Sequence, residues 1–249
     1  MKRTERQHLK ENELAYRIAQ ASAFFDARRS MATAIGIGVL VLAVAIVGFM
    51  MYRRSVDSRG DLLLADAMVA LNAPVVPTGA AGEEGLPAAA QIGATGTFST
   101  EEQKLKAALP KLKAAAEEYP DSDAGITARY HLAGALAALG QTSEAIAAFD
   151  EVVKEAGADT LYGRMARLGK ADTQARSNQL DAAIATWKEL AAQTGDELPV
   201  DAILMELGRA YMQKGDTEEA RKTFTQLVDQ HAESPYSADA RRELDNLKG

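Results

Sequence analysis

The 249-residue sequence contains no cysteine, which excludes disulfides, thiol catalysis and zinc sites with cysteine ligands. Aromatic residues are also scarce at 6%, although hydrophobic residues as a whole make up 47% of the chain. Alanine is frequent throughout and favours helices, whereas a β-sandwich would use more Val, Ile, Thr and Tyr. The composition therefore predicts an all-α protein with closely packed helices.

Side chains that could carry catalysis or bind a metal are few. The three histidines, His8, His131 and His231, lie far apart and show no metal-ligand spacing such as Glu-x-x-His. Neighbouring acids such as Glu218 and Glu219 are more typical of first helical turns than of acid–base pairs. We therefore expect no enzymatic activity, no cofactor, no metal and no small-molecule substrate.

Positive charge is in short supply over most of the chain. Residues 60–249 carry 18 Lys and Arg against 30 Asp and Glu, a balance of −12. Residues 1–30 are basic instead, with seven Lys and Arg against four acids. An acidic domain repels the phosphate backbone, so we expect no nucleic-acid partner.

One long hydrophobic run stands near the start of the sequence. Met31 to Met51 are 21 residues without a charge, and a helix of that length is roughly 31 Å long, which matches a hydrocarbon core of about 30 Å. A buried core helix rarely runs so far without a polar face. A signal peptide would be shorter and would end in a small-residue cleavage site, whereas Tyr52-Arg53-Arg54 follows here. We predict a transmembrane helix over residues 31–52.

The basic leader, residues 1–30, has its own periodicity. Leu14, Ile18, Ala21 and Phe25 recur at helical spacing, which predicts an amphipathic helix that lies on the membrane or docks on a membrane partner. Because Lys and Arg are more numerous in the leader than after the apolar run, we expect a cytoplasmic N-terminus and a C-terminal domain outside the cytoplasm.

The composition changes twice after the apolar run. Residues 53–72 have helical apolar spacing and predict a post-membrane helix. Residues 73–99 hold five Gly and three Pro without a periodic apolar face, which indicates a flexible linker or a long inserted loop. Ser99 and Glu102 have capping-box spacing, so we expect a helix from residue 100, and Pro110 predicts a kink or break in it.

A short pattern recurs three times within residues 100–249. A residue suited to the left-handed conformation that ends a helix is followed five residues later by an alanine and four residues after that by an aromatic. The small residue lets two antiparallel helices approach, and the aromatic fills the space beside them. No such pair buries its apolar face alone, so pairs stack into a superhelix. The three copies are Gly140, Ala145 and Phe149; Asn178, Ala183 and Trp187; and Gly215, Ala220 and Phe224.

The last copy resembles a tetratricopeptide repeat. Leu207-Gly208, Tyr211 and Pro235 join Ala220 and Phe224 at the spacings of that family. The middle copy has Ala171 at the glycine position and no aromatic at the tyrosine position, and the copies exceed the usual length of about 34 residues. The resemblance implies a tetratricopeptide-like superhelix over residues 100–249. Its implied core residues are Leu132, Ala145, Phe149, Ala183, Trp187, Leu207, Gly208, Tyr211, Ala220 and Phe224.

The resemblance also implies a partner-binding surface, because the first helix of each pair lines the concave face in this family. Three methionines at these positions would suit varied apolar peptides. The alternative is that the methionines pack against a neighbouring repeat. The positions are Thr127, Tyr130, Gly134, Ala137, Met165, Leu168, Asp172, Ala175, Ala202, Met205, Arg209 and Met212.

The whole layout resembles the ancillary subunits of the bacterial SecYEG translocon, which have a basic leader, an early single span and a tetratricopeptide domain. This resemblance implies a single-pass protein of the bacterial inner membrane with a periplasmic repeat domain. Its partners would be translocon subunits, periplasmic chaperones or exported clients. A cell-envelope or cell-division coordinating scaffold and a single-span signalling protein are the alternatives.

Overall fold

The computed structural model describes residues 29–76, 97–193 and 198–247. The chain divides into two units, residues 1–55 and 56–249. The predicted amphipathic leader lies outside the described residues except for its last two positions, and so do residues 77–96 of the predicted linker.

The described residues form helices without a β-strand, which confirms the prediction of an all-α protein. Alanine-rich segments separated by Gly, Asn and Pro produce this succession, because these three residues end helices. The helices are α1 (Arg29–Leu71), α2 (Glu101–Glu118), α3 (Asp123–Ala138), α4 (Thr142–Ala156), α5 (Leu161–Arg176), α6 (Leu180–Ala192), α7 (Val200–Lys214), α8 (Thr217–Gln230) and α9 (Ser237–Asn246).

The described part of the first unit is the beginning of α1. Its apolar side chains from Ile35 to Met51 are exposed, in most cases by more than half of their surface. A core helix of a soluble protein would bury most of such a run, whereas none of it is buried here. Among the described residues, α1 is the one helix long and apolar enough to cross a membrane.

In the second unit, the end of α1 packs with α2 and α3. Ala67 and Ala70 are buried in one apolar cluster with Leu105 and Leu112 of α2. On the neighbouring surface of α1, Lys111 Nζ donates a hydrogen bond of 2.8 Å to Asp66 Oδ1. Residues 63–71 therefore belong to the packed core of the repeats.

The two ends of the segment between α1 and α2 are joined by backbone hydrogen bonds. The Val76 N–H donates to the Phe98 carbonyl at 2.8 Å, and the Phe98 N–H donates to the Pro74 carbonyl at 3.1 Å. Residues 74–76 and residue 98 therefore lie side by side. The end of α1 and the whole of α2 form a helix pair with an insertion between its members.

The start of α2 corrects a prediction. The cap is Thr100, whose hydroxyl accepts the Gln103 N–H at 3.2 Å, one residue later than the predicted pair of Ser99 and Glu102. Ser99 instead donates its hydroxyl to the Gln103 side chain at 2.6 Å. Pro110 does not break the helix, which is continuous to Glu118, because the backbone there faces solvent and water can satisfy the carbonyl that lacks a donor.

The remaining helices follow as pairs, α3 with α4, α5 with α6 and α7 with α8, and α9 packs on α8. The turns within these pairs have the left-handed conformation that was predicted, with φ of 76° at Gly140, 64° at Asn178 and 86° at Gly215. These turns reverse the chain within two or three residues, so the members of each pair lie antiparallel.

Aromatic rings hold neighbouring helices together because the rings lie directly against glycine residues. A Cβ atom added to Gly169 of α5 would be 2.6 Å from the Phe149 ring of the preceding pair, and one added to Gly208 would overlap the Phe224 ring of its own pair. Trp187 is 2% exposed, in a cluster with Ala171 and Ala183 that continues through α9. Nine of the ten implied core residues are buried, and Leu132 is half-buried.

We predict that Gly208→Ala destabilises the fold by about 1–3 kcal/mol, because the new methyl group overlaps the Phe224 ring in a filled core. Gly134→Ala is the matched control: Gly134 is a helix-interior glycine with open space around its Cβ position. This control should raise the unfolding free energy by about 0.5–1 kcal/mol. Urea denaturation of the full chain in detergent, followed by circular dichroism, measures both. Equal stability of the two variants would refute the close contact between the Phe224 ring and Gly208.

Candidate partner-binding face

The first helices of the pairs, α3, α5 and α7, carry the residues implied to bind a partner, and α3 contacts α5 directly. We call the accessible part of this surface the first-helix face. It consists of Thr127, Tyr130, Gly134, Tyr162, Met165, Leu168, Asp172, Glu206, Arg209 and Met212, all of them half-buried or exposed.

Met205 is not part of this accessible surface. Its side chain is completely buried, as are those of Ile203 and Leu204 before it. Three successive residues of a helix point in different directions, so α7 is enclosed there on most sides. Met205 therefore packs inside the protein, as the alternative interpretation of the methionines predicted. Met165 and Met212 keep part of their surface exposed.

Aromatic rings form one end of the first-helix face. The Tyr130 ring lies edge-on to Phe149 at 6.0 Å and to Tyr162 at 6.1 Å between centroids, and the His131 ring lies 5.5 Å from it. Thr127 Oγ1 donates a hydrogen bond of 2.8 Å to Tyr162 Oη and so joins α3 to α5. The rings are held in place by packing that the chain supplies itself.

Sequence reasoning missed Tyr162 as a member of this face. It stands in the first turn of α5, three residues before Met165, and residues three apart lie on the same side of a helix. Extending the concave positions that the family resemblance implies by one turn toward the start of α5 would have found Tyr162.

Asp172 of α5 is a half-buried carboxyl. Burial raises its pKa above the ordinary range, a hydrogen bond from Trp187 opposes this rise, and the charge of Glu206 adds to it. The indole Nε1 of Trp187 donates to Asp172 Oδ1 at 3.3 Å. A carboxylate in this position is therefore costly in the free protein, since burial disfavours its charged form.

Tyr130 and Asp172 are electrostatic neighbours across α3 and α5. Burial raises the pKa of the Tyr130 hydroxyl, and the charge of Asp172 raises it further. Burial alone lowers the pKa of His131, which favours the neutral imidazole at neutral pH. The charge of Asp172 therefore acts on the aromatic end of the face.

On α7, the charges of the face compensate each other. Arg209 Nη1 lies 2.8 Å from Glu206 Oε1, and both side chains are about half exposed. Such exposed pairs contribute little to stability. Arg209 is therefore partly neutralised and is a poor clamp for an anionic partner group.

The part of the chain that the structure describes shows no metal-binding arrangement. Groups of three or more His, Asp and Glu side chains that could hold a metal ion are absent from it. An open cavity of about 320 Å³ lies between α6, α7 and α8, but its floor is the buried core of Leu204, Leu207 and Tyr211. Lys222 at its rim is bonded to Glu219 at 2.6 Å. Lys188 is the other basic residue that lines this cavity.

Comparisons with known proteins agree with this architecture. Residues 99–166 and residues 168–238 match two family models, each described as a tetratricopeptide repeat. No curated protein matches the chain.

Solved structures with the same kind of repeat are similar in fold. TPR-like repeats of a protein assigned as a kinesin light chain from Podosopora anserina are 21% identical, cover 59% of this chain and 79% of their own, and have a TM-score of 0.50. A tetratricopeptide repeat protein from Parabacteroides merdae is 15% identical, with coverages of 60% and 56% and a TM-score of 0.50. At these identities the likeness shows the fold alone.

We predict that Asp172→Asn stabilises the free protein at neutral pH and that the gain shrinks on acidification. Its raised pKa means that the folded state binds this proton more tightly than the unfolded state, so the contribution of Asp172 to stability grows as pH falls toward the folded pKa. Asparagine keeps an acceptor for the Trp187 indole without the charge.

Urea titrations of both proteins from pH 7 down to the acid limit of solubility measure this difference. Asp229→Asn, at an exposed position of α8, is the matched control and should show no such trend. A difference between wild type and Asp172→Asn that widens as the pH falls would contradict the assignment.

Proposed function

We propose that this chain, whose residues 99–166 and 168–238 belong to the tetratricopeptide-repeat family, is a membrane-anchored scaffold that binds partner proteins on its first-helix face. Tetratricopeptide repeats are protein-interaction scaffolds and are generally not enzymes. The observation that carries the proposal is the face itself, where apolar, aromatic and charged side chains remain partly open although the same helices are otherwise buried.

The anchor is the start of α1. An uncharged helix of 21 residues with every described side chain exposed requires an apolar surrounding, and a lipid bilayer supplies one. The seven Lys and Arg of residues 1–30, against three between the apolar run and residue 60, favour a cytoplasmic N-terminus. The repeats then lie in the periplasm of a bacterial cell.

The partner class follows from the layout. A basic leader, one span and an acidic repeat domain resemble the ancillary subunits of the SecYEG translocon. We propose translocon subunits as neighbours in the membrane, and periplasmic chaperones or emerging exported chains as partners of the first-helix face. Met165 and Met212 have flexible, unbranched side chains that adapt to varied apolar segments, and Leu168 adds apolar surface beside them.

The alternative of a cell-envelope scaffold has one mild argument in its favour, which is that residues 73–99 could act as a spacer that reaches away from the membrane. The backbone hydrogen bonds that join Pro74 and Val76 to Phe98 hold the two ends of this segment side by side. This observation weakens that argument.

The proposal predicts site-dependent cross-linking in living bacteria. A photo-reactive residue at Gly134, which is exposed with open space around it, and one at Met165 should capture the same partners. Ala147, on the exposed side of the second helix α4, is the matched control and should capture them much less. Mass spectrometry of the cross-linked products identifies the partners.

Capture of the same partners in equal yield from Ala147 would contradict the proposed face. Division or peptidoglycan factors in place of export components would favour the envelope scaffold. Cytoplasmic proteins alone would contradict the orientation in the membrane.

A further inference from the structure

The open cavity between α6, α7 and α8 is a groove whose two walls are the second helices of neighbouring pairs. Its lining on α8 extends from Glu219 to Gln226, a distance of about 10 Å along the helix. Leu204 and Leu207 of α7 form its floor. Three residues of an extended chain cover about 10 Å, so the groove accommodates a short extended segment of a polypeptide.

The groove lies on the opposite side of α7 from the first-helix face. Leu204, Leu207 and Tyr211 line the groove, and residues three and seven apart share one side of a helix. Glu206 and Arg209 belong to the first-helix face and occupy the other side of α7. A protein bound to the first-helix face therefore leaves the groove accessible.

One end of the groove is polar. The side chains that line it there are Lys188 of α6, Tyr211 of α7, and Glu219 and Lys222 of α8. Lys222 Nζ donates a hydrogen bond of 2.6 Å to Glu219 Oε1. This hydrogen bond and the charge of Lys222 lower the pKa of Glu219, and the charge of Lys188 lowers it further. Both lysines are therefore near the same carboxylate.

Two hydrogen-bond donors at the polar end have no partner among the residues that the structure describes. Neither the Lys188 ammonium group nor the Tyr211 hydroxyl forms a hydrogen bond or an ion pair with them. Glu219 balances the charge of Lys222, so Lys188 leaves one positive charge at this end. Because the stem of a lysine is flexible, a carboxylate from outside can accept a charge-assisted hydrogen bond from Lys188 and a second bond from Tyr211.

The other end of the groove is apolar. Leu204 is seven residues from Tyr211, which places it two turns of α7, or about 10 Å, from the polar end. Ala191 and Ala192 lie one turn beyond Lys188 on α6. In an extended chain, residues two apart point to the same side and lie about 6.6 Å from each other. An acidic residue and an apolar residue at this spacing would face the polar end and the apolar floor together.

We propose that this groove binds an extended segment of a second partner protein, in which an Asp or Glu contacts Lys188 and an apolar residue two positions away covers Leu204 and Leu207. The inference goes beyond the proposed function, because it adds a binding site away from the first-helix face. The balance of −12 over residues 60–249 disfavours an acidic segment at long range, but physiological salt screens such charges beyond about 8 Å. Recognition therefore depends on the direct contact with Lys188.

Paired peptides test the proposal on the full chain in detergent micelles. The probe is the acetylated pentapeptide amide Asp-Ala-Leu-Ala-Asp, which has a carboxylate two residues from leucine in both directions, and its neutral counterpart has asparagine in place of both aspartates. The chain has no cysteine, so Gln226→Cys at the rim of the groove takes a single trifluoromethyl label, and ¹⁹F NMR measures binding. We expect the acidic peptide to bind about tenfold more tightly, the discrimination expected from one hydrogen bond to a charged group.

Three variants of the labelled chain, each checked for its helix content by circular dichroism, locate the effect. Lys188→Gln should abolish the preference for the acidic peptide. Lys113→Gln, which removes one positive charge from an exposed position of α2, is the matched control and should keep this preference. Tyr211→Phe, which removes only the hydroxyl group, should weaken binding of the acidic peptide about threefold and leave that of the neutral peptide unchanged.

The acetylated tripeptide Ala-Ala-Leu with a free carboxylate represents the C-terminus of a protein. Tighter binding of this tripeptide than of the acidic pentapeptide would assign the groove to chain ends and overturn the proposed internal segment. Equal binding of the two pentapeptides, binding of neither, or a preference that survives Lys188→Gln would also overturn the inference. The first-helix face is tested separately, by cross-linking from Gly134 and Met165.

Discussion

The repeat unit depends on aromatic rings lying against helix surfaces that have no side chain. Phe149 and Phe224 occupy positions where a single added methyl group on Gly169 or Gly208 would collide with the ring. Phe149 joins its own helix pair to the next one, and Phe224 holds a pair together. Each ring fills space that belongs to two helices, so these contacts hold helices together both within a pair and between neighbouring pairs.

Features that depend on nearby residues could be predicted from the sequence. The left-handed turns at Gly140, Asn178 and Gly215 and the small residues before the aromatics obey local rules of backbone and packing. The predicted cap of α2 was wrong by one residue. Ser99 and Thr100 both have a hydroxyl group, and only the three-dimensional position of the helix start selects between them. Helix ends are the least certain part of such predictions.

The candidate site was harder to predict because it depends on how helices enclose one another. Leu168 and Met205 occupy corresponding positions in their repeats, yet Met205 is fully buried and Leu168 is half-buried. The enclosure of α7 by its neighbours produces this difference, and no spacing in the sequence encodes it. Contacts between helices likewise place Tyr162 beside Tyr130 and Asp172 beside Trp187. The buried rings thus determine which side chains the same helices leave open to a partner.

Hydrogen–deuterium exchange of the full chain, alone and with its co-purified partner, tests most directly whether the first helices form the binding surface. Our account predicts that the partner slows exchange of the backbone amides in α3, α5 and α7, while those in α4, α6 and α8 change little. Slower exchange confined to α4, α6 and α8 would show that the partner binds the opposite side of the stack, and this result would contradict the account.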